Sequence, residues 1–194
     1  MDARLIDEIL GSAFNTSADV ISRTLAGNRD SIRRAAEMIS DVLTAGGKVL
    51  LCGNGGSAAD AQHFAAELVG RFLVERRALP ALALTTNTSV ITAVGNDHGF
   101  DQVFVRQVEA LARTGDVLIC LSTSGRSPNV VAAARRGRDF GLRVVSLTGA
   151  DVDLLSPYSD VVVAVPSRDT PRIQEAHAVV GHAICQVVEL TLFE

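Results

Sequence analysis

Residues 48–71, KVLLCGNGGSAADAQHFAAELVGR, join a short apolar strand, a glycine-rich turn and a helix. A strand that ends in glycines and leads into a helix is how α/β proteins build an anion site. The helix carries His63 and Glu67 four residues apart, which puts both side chains on one face, while Asp60 and Gln62 are taken to point elsewhere. The stretch predicts an α/β fold with an anion-binding turn and a candidate site for chemistry or metal binding.

Short apolar runs recur outward from this stretch and alternate with helical patterns. They are continuous, which is typical of strands buried on both faces of a parallel sheet. The predicted strands are 48–52, 81–85, 116–121, 142–148 and 160–165. The predicted helices are 57–73, 88–95, 101–113, 127–140, 152–157 and 170–193. We therefore expect a flavodoxin-like three-layer α/β/α sandwich with a five-stranded parallel sheet, and ligands at the carboxyl ends of its strands.

The region before the first strand has apolar residues at helical spacing over 2–25 and again over 29–46. This pattern predicts two amphipathic helices, the second ending at Gly46-Gly47. A length of 194 residues suits one domain. We expect residues 1–194 to form a single domain with a helical N-terminal extension of about 1–46.

Composition excludes several classes of protein. Net charge is −4, Lys48 is the sole lysine, and the arginines are scattered, which argues against a nucleic-acid surface. Cys52, Cys120 and Cys185 lie far apart in apolar runs, as reduced core thiols do. The N-terminus lacks signal-peptide features, and no apolar run approaches the roughly 20 residues that cross a bilayer. The expectation is a cytoplasmic protein without a membrane or nucleic-acid partner.

The glycine-rich turn, with Asn54, Gly55 and Gly56, follows the first strand, and Ser57 is placed to cap the next helix. The turn also fits a dinucleotide fingerprint. That reading needs an acidic residue after the next strand, and this strand ends in Leu84-Thr85-Thr86. A tight turn that binds nothing remains the alternative.

A second loop, Ser122-Thr123-Ser124-Gly125-Arg126-Ser127, follows the third strand and offers four hydroxyl groups before Pro128. Hydroxyls and free amide groups at a helix N-terminus form a phosphate cradle that needs no lysine. The position beside the glycine-rich turn favours a phosphomonoester site over a merely capped turn.

Two further groups of polar residues remain ambiguous from local pattern. Gln174 and His182 are about 12 Å apart along one helix, so a single metal site needs a frayed first turn or a second subunit. A histidine satisfied within the core is the alternative for His182. Asn96 and Asp97, in the segment 95–99 that is expected to break a helix pair, either turn the chain or bind sugar hydroxyls.

Four separated stretches, taken together, resemble the bacterial phosphoheptose isomerases of the sugar-isomerase (SIS) fold. They are CGNGGSAADAQHFAAE, GNDHGFDQVF, STSGRSPN and VPSRDTPRIQEAHAVVGHAI. The resemblance runs from about residue 30 to the C-terminus. It implies conversion of D-sedoheptulose 7-phosphate to D-glycero-D-manno-heptose 7-phosphate through an enediol(ate), the first step toward nucleotide-activated heptose. It also implies a homotetramer with active sites between subunits and one zinc ion per subunit.

The resemblance also assigns roles to residues. It implies Glu67 and His182 as the catalytic acid/base pair, and His63, Glu67, Gln174 and His182 as zinc ligands. The substrate-binding residues that it implies are Asn54, Gly55, Gly56, Glu67, Asn96, Asp97, Ser122, Thr123, Ser124, Ser127 and Gln174. Arg126 stands where many members have Asn or Lys.

A relative of these isomerases with the same AQHFAA run regulates the bacterial replication initiator by binding it, and this is the alternative function. That regulator lacks the carboxylate and the second histidine, whereas this chain has Glu67 and His182. A sugar-phosphate-sensing module is a third reading. It would keep the hydroxyl-rich loop without needing the four ligand-type residues together.

Overall fold

The computed structural model describes residues 2–194. Its helices are α1 Ala3–Thr44, α2 Gly56–Val69, α3 Thr88–His98, α4 Val105–Leu111, α5 Pro128–Asp139 and α6 Thr170–Phe193. Its strands are β1 Val49–Cys52, β2 Ala81–Ala83, β3 Val117–Ser122, β4 Arg143–Thr148 and β5 Val161–Ala164. Short 3₁₀ turns lie at Phe100–Gln102 and Ser156–Tyr158.

The five strands form one parallel sheet in the order β2-β1-β3-β4-β5. The pairing of β1 with β3 sets Val49 opposite Val117 and Cys52 opposite Cys120. This confirms the predicted sheet. The order reverses direction between β1 and β3, and in such sheets the crevice outside the carboxyl ends at that point is where ligands bind.

Alternate strand residues face opposite layers of helices. Val49 and Leu51 of β1 pack into a core with α1, α2 and α6. Leu50 and Cys52 pack into a second core with α4 and α5. Because both faces of the sheet are covered, its central strands are buried at almost every position, which confirms the three-layer α/β/α arrangement.

The N-terminal region forms one helix of 42 residues, and the prediction of two helices was wrong. Gly27 lies in its interior, where glycine costs up to about 1 kcal/mol relative to alanine. Asn28 offsets this cost through long-range contacts, since its side-chain amide donates to the Ala164 carbonyl at 2.9 Å and accepts from the Ala164 N–H at 3.0 Å. The contact with β5 thus keeps α1 helical at Gly27, where the local helix propensity is low.

Three other predicted elements differ from the structure. Residues 152–157 form no α-helix and contribute only the 3₁₀ turn at Ser156–Tyr158. The first turn of the predicted helix 101–113 is a 3₁₀ turn, and α2 ends at Val69 instead of continuing to 73. The expected break at 95–99 falls only at Gly99, where φ is +90°, so α3 continues through His98.

The three cysteines are buried and free, as predicted. By length and composition α6 is apolar enough to cross a membrane. The sequence contains no uninterrupted apolar run of that length, because polar residues are spaced along this helix. The helix is part of the folded core: 44% of its most apolar window is buried, and His177 and Glu189 on it bond to other elements. We attribute its apolarity to packing against α1 and α2.

Candidate active site

Three side chains with ligand or proton-transfer chemistry meet between α2 and α6. His63 and Glu67 lie one turn apart on α2, and the Glu67 Oε1 atom is 3.5 Å from the His63 Nε2 atom. His182 on α6 brings its Nε2 atom to 2.7 Å from the Nε2 atom of His63. One donor atom from each residue lies within 4.8 Å of the other two. The fold therefore joins residues that are 119 positions apart.

The two helices approach closely at this point because α6 presents a glycine. A Cβ atom on Gly181 would lie 1.9 Å from the ring of Phe64 on α2. Gly181 precedes His182, and Phe64 follows His63. Because Gly181 has no side chain, the Phe64 ring packs directly on α6, and the imidazoles of His63 and His182 come into contact.

The donor set fits a divalent transition metal ion, because two imidazole nitrogens and a carboxylate are ligands that zinc and its neighbours accept. In a tetrahedral zinc site two ligand nitrogens are about 3.3 Å apart, slightly more than the 2.7 Å between these two. At 2.7 Å one imidazole donates its N–H to the other, and a metal ion between them would replace that proton. Three ligands from one chain leave a position for another ligand or for substrate.

The hydroxyl-rich loop folds into a cup at the carboxyl end of β3. The Ser122 Oγ atom lies 3.0 Å from that of Ser127 and 3.5 Å from that of Ser124, and the Arg126 N–H donates to Ser124 Oγ. Gly125 has φ +64°, and a Cβ there would lie 2.0 Å from the Asp151 carbonyl oxygen. Glycine is therefore required at the turn that points the hydroxyls together.

This cup opens onto the N-terminus of α5. Ser127 is the N-cap position, yet its side chain makes no capping hydrogen bond, since it faces Ser122. Thr123 contributes its carbonyl, which accepts from the Gly149 N–H at 3.2 Å. Hydroxyl groups and unpaired amide groups at a helix N-terminus together favour an anion.

The glycine-rich turn lies directly beside the cup. The Asn54 side chain exchanges two hydrogen bonds with that of Asn129 in the first turn of α5, at 2.8 and 2.9 Å. Gly55, with φ +56°, occupies the N-cap position of α2, and Ser57 is buried inside the helix, so the predicted serine cap was wrong. The two loops predicted from sequence therefore form one crevice between β1 and β3.

A model of the SIS domain family matches residues 14–149. The phosphoheptose isomerase of a Roseiflexus species is 52% identical over 190 residues, covering 98% of this chain and 94% of that relative. That of Aliarcobacter butzleri is 51% identical over 176 residues, covering 91% of this chain and 93% of that relative. The solved phosphoheptose isomerase of Neisseria gonorrhoeae is 42% identical with a TM-score of 0.90, covering 95% of this chain and 99% of that one. The chain belongs to the phosphoheptose isomerase family.

Within this member of the phosphoheptose isomerase family, Gln174 lies apart from the other predicted ligands. Its side-chain amide packs on Gly56, where an added Cβ would come within 2.5 Å of Nε2. Gly56 is seven residues before His63, or about 10 Å along α2. Gln174 is the fifth residue of a regular helix, so a frayed turn does not bring it to His182.

The predicted sugar-binding pair Asn96 and Asp97 also lies outside the cluster. Both side chains are exposed near the C-terminus of α3, and the Asn96 Nδ2 atom donates to Asp97 Oδ1 at 2.7 Å. Nothing within the described part of this chain joins them to the cup or to His63.

Arg126 lines a small cavity together with Thr123 and Ser124 of the hydroxyl-rich loop. Its guanidinium lies 3.3 Å from Asp151, which also contacts Arg168 at 3.3 Å. The backbone N–H of Arg126 still donates to Ser124. The Arg126 side chain is therefore accommodated with the Ser124 hydrogen bond of the loop in place.

Sequence reasoning missed two polar residues at the site. Asn129 is 1% exposed and holds Asn54, and nothing in the pattern marked it. Asp60 was set aside as pointing away, but at 100° per residue it lies within about 20° of Glu67 around α2. Burial raises the pKa of Asp60 and the charge of His63 opposes this, so it lies near the cluster. Its Oδ2 atom is buried without a hydrogen-bond partner among the described residues.

Gly181→Ala is expected to lower the free energy of unfolding by about 1–3 kcal/mol, because the new methyl group overlaps the Phe64 ring. Denaturant unfolding at one fixed chain concentration measures the change. Gly27→Ala is the matched control: it is also interior to a helix, nothing lies within 4 Å of its added Cβ, and it should be neutral or stabilising. Equal stability of the Gly181→Ala and wild-type proteins would contradict the close approach.

Proposed function

We propose that this chain isomerises D-sedoheptulose 7-phosphate to D-glycero-D-manno-heptose 7-phosphate, with Glu67 and His182 as the proton-transferring residues. The main support for this proposal is that His63, Glu67 and His182 lie together between α2 and α6. The chain is also about 50% identical to phosphoheptose isomerases over almost its whole length. The product would be the first intermediate on the way to nucleotide-activated heptose.

Aldose–ketose isomerisation moves a proton between C1 and C2 through an enediol(ate). It requires a base at carbon and an acid that serves the two oxygens. A carboxylate and an imidazole supply these two groups, and positioned proton transfer is worth about 10²–10⁴-fold in rate. Glu67 and His182 lie on facing helices with donor atoms within 4.8 Å of each other, so both can reach adjacent atoms of one substrate.

The metal proposal is one Zn²⁺ per subunit, held by His63, Glu67, His182 and Gln174. A bound Zn²⁺ would act as a Lewis acid that polarises the substrate carbonyl. Glu67 then has two roles, and its two carboxylate oxygens allow one to face the metal and the other the substrate. The chemistry of the three clustered donors supports the proposal.

The substrate phosphate is assigned to the hydroxyl cup of Ser122, Ser124 and Ser127, together with Thr123 from the same loop. The sugar chain is assigned to Asn54, Gly55 and Gly56, which border the cup, and to Glu67. Asn96, Asp97 and Gln174 complete the proposed set. The reciprocal pairing of Asn54 with Asn129 supports this division, because it fixes the glycine-rich turn against the α5 N-terminus.

A homotetramer with active sites at subunit interfaces accounts for the residues that lie apart. The buried residues of α1 begin only at Val20. Ahead of it, apolar side chains are exposed, among them Leu5, Ile9 and Phe14, the last at 76%. A second subunit that covers this stripe can also bring its Gln174, Asn96 or Asp97 to the cluster.

The whole chain is proposed to act as one SIS domain, since α6 lies beyond the matched range 14–149 and yet carries His182. We place it in the cytoplasm, with the sugar phosphate and further copies of itself as partners and without nucleic acid or membrane. Buried free cysteines and a net charge of −4 support this placement.

Incubation of the purified protein with sedoheptulose 7-phosphate, together with metal analysis, tests the proposal. We expect turnover to the heptose 7-phosphate, about one zinc per chain, and loss of activity on chelation that Zn²⁺ reverses. Full activity of metal-free protein would refute the metal assignment. Absence of turnover by the zinc-loaded protein, with binding to the replication initiator protein, would favour the regulator instead.

A further inference from the structure

A buried ion pair lies just beyond the catalytic cluster, between α6 and the segment that follows α2. Glu189 of α6 and Arg76 both have side chains only 1% exposed, and the Arg76 Nε atom donates to Glu189 Oε1 at 2.9 Å. The carboxylate also accepts from three consecutive backbone N–H groups, those of Phe72, Leu73 and Val74, at 2.9, 2.6 and 3.0 Å. Four donors therefore converge on one buried carboxylate.

The rest of the Arg76 guanidinium binds the C-terminal end of α2. Nη2 donates to the Glu67 carbonyl at 2.8 Å, and Nη1 donates to the carbonyls of Leu68 and Gly70 at 2.9 and 3.2 Å. The last carbonyls of a helix have no intrahelical partners, and a cation there also complements the helix dipole. Arg76 thus caps the turn of α2 that carries Glu67.

The pair contacts the site from both helices. Glu189 follows His182 by seven residues, two turns along the same face of α6. Phe72, whose N–H donates to Glu189, places its ring 5.5 Å from that of His182. One ion pair therefore bonds to the backbone of Glu67 and to the residue that packs against His182.

We propose that Arg76 and Glu189 are positioning residues that hold the carboxylate of Glu67 and the imidazole of His182 in register across the α2–α6 gap. This inference rests on the function proposed above. Neither residue faces the cluster itself, so both act through the backbone of α2 and through the ring of Phe72.

The chemistry of the pair argues for such a role over stability alone. Burying two charges carries a desolvation cost, and well-packed apolar residues often stabilise a protein equally well. Apolar residues cannot fix directions, whereas a planar guanidinium does so through its bonds to one carboxylate and four backbone carbonyls. Burial opposes ionisation of Glu189, but the amides of Leu73, Phe72 and Val74 and the Arg76 cation hold its pKa below the ordinary range.

The test compares Glu189→Gln and Arg76→Lys with a matched control whose hydrogen bonds reach neither α2 nor α6. Asp116→Asn is that control, because Asp116 is also a buried carboxylate that pairs with a cation and accepts two backbone N–H bonds, from Lys48 and Arg113. The readouts are kcat and KM at a temperature where each variant is folded by circular dichroism. A second readout is the affinity of the metal-free protein for Zn²⁺, by competition with a chromophoric chelator.

For Glu189→Gln and Arg76→Lys we expect kcat to fall by about 10–100-fold with KM changed by less than about threefold, because misplacement of about 1 Å is enough for such a loss. Zinc affinity should fall by about 10–100-fold. Asp116→Asn should lose stability with kcat and zinc affinity unchanged. Because Arg76→Lys keeps the charge but not the planar fork, recovery of wild-type kcat in it would refute the positioning role.

A further variant, Phe72→Leu, keeps the ion pair and removes only the ring beside His182, so it tests the proposal if Glu189→Gln does not fold. We expect the same fall in kcat, and wild-type kcat in this variant would overturn the proposal. The zinc measurement separates the two inferences. A wild-type protein that binds zinc but does not turn over sedoheptulose 7-phosphate defeats the proposed function, while the affinities of the variants still decide the positioning role.

Discussion

Glu67→Gln is expected to lower kcat for sedoheptulose 7-phosphate by about 10²–10⁴-fold, the usual contribution of a positioned proton-transfer group. The amide keeps the shape of the side chain but cannot accept the proton from carbon. Glu67 is about one-fifth exposed and its neighbour His63, at 3.5 Å, is about half exposed. The substitution therefore does not leave a buried charge without its partner. Steady-state kinetics on the folded variant provides the measurement.

His182→Gln should show a similar fall, because its imidazole is the other proton-transferring group of the cluster. Glu75→Gln is the control for the carboxylate, since Glu75 is 92% exposed just beyond the same helix, and its kcat should not change. Wild-type turnover in either Glu67→Gln or His182→Gln would exclude the assignment of the pair.

Acidification from pH 7 to pH 5 is expected to remove about 2 kcal/mol of stability through His177 alone, and about 3 kcal/mol by pH 4. His177 is fully buried, and its Nε2 atom lies 3.1 Å from the Thr148 carbonyl oxygen, to which it donates. Its Nδ1 atom is buried without a partner among the described residues, so a second proton there would leave a charge unsolvated. Burial accordingly lowers the pKa of His177 to about 4, against the effect of the Thr148 bond.

The sign of this effect follows from which state binds the proton. Between pH 6.5 and about 4 the unfolded chain protonates His177 and the folded chain does not, so unfolding is favoured as the pH falls through this window. Urea unfolding of the wild-type protein and of His177→Gln, at pH 7 and pH 5 and one chain concentration, isolates the contribution. His98→Gln, at the exposed end of α3, is the comparison variant that also removes one histidine. Equal pH dependence of the wild-type and His177→Gln proteins would contradict the prediction.

Apolar periodicity was sufficient to predict the sheet and most of the helices. Strands covered on both faces are mostly apolar, and β1, β3 and β4 are buried at every position except Arg143. The errors fall where long-range contacts outweigh local preference. Asn28 bonds to β5 and so keeps α1 helical at Gly27. Glu189 accepts hydrogen bonds from the backbone N–H groups of residues 72–74, so these residues do not extend α2 to its predicted end.

The site divides in the same way. The glycine-rich turn and the hydroxyl-rich loop could be recognised locally, since each follows a strand and precedes a helix. Arg76, Asn129 and Glu189 could not, because the partners that give them their roles lie 75 to 117 positions away and no spacing marks them. Asp60 was within reach of sequence reasoning, and helical geometry applied more carefully would have placed it beside Glu67.

The sequence of residues 48–71 by itself determined the strand, the turn and the pairing of His63 with Glu67, because all three depend on neighbours within a few positions. Only the tertiary structure decided that His182 completes the cluster and that Gln174 does not within one chain. The physical reason is the packing of α6 on α2: Gly181 admits the Phe64 ring and brings His182 to His63, while the straight helix keeps Gln174 about 12 Å away, against Gly56.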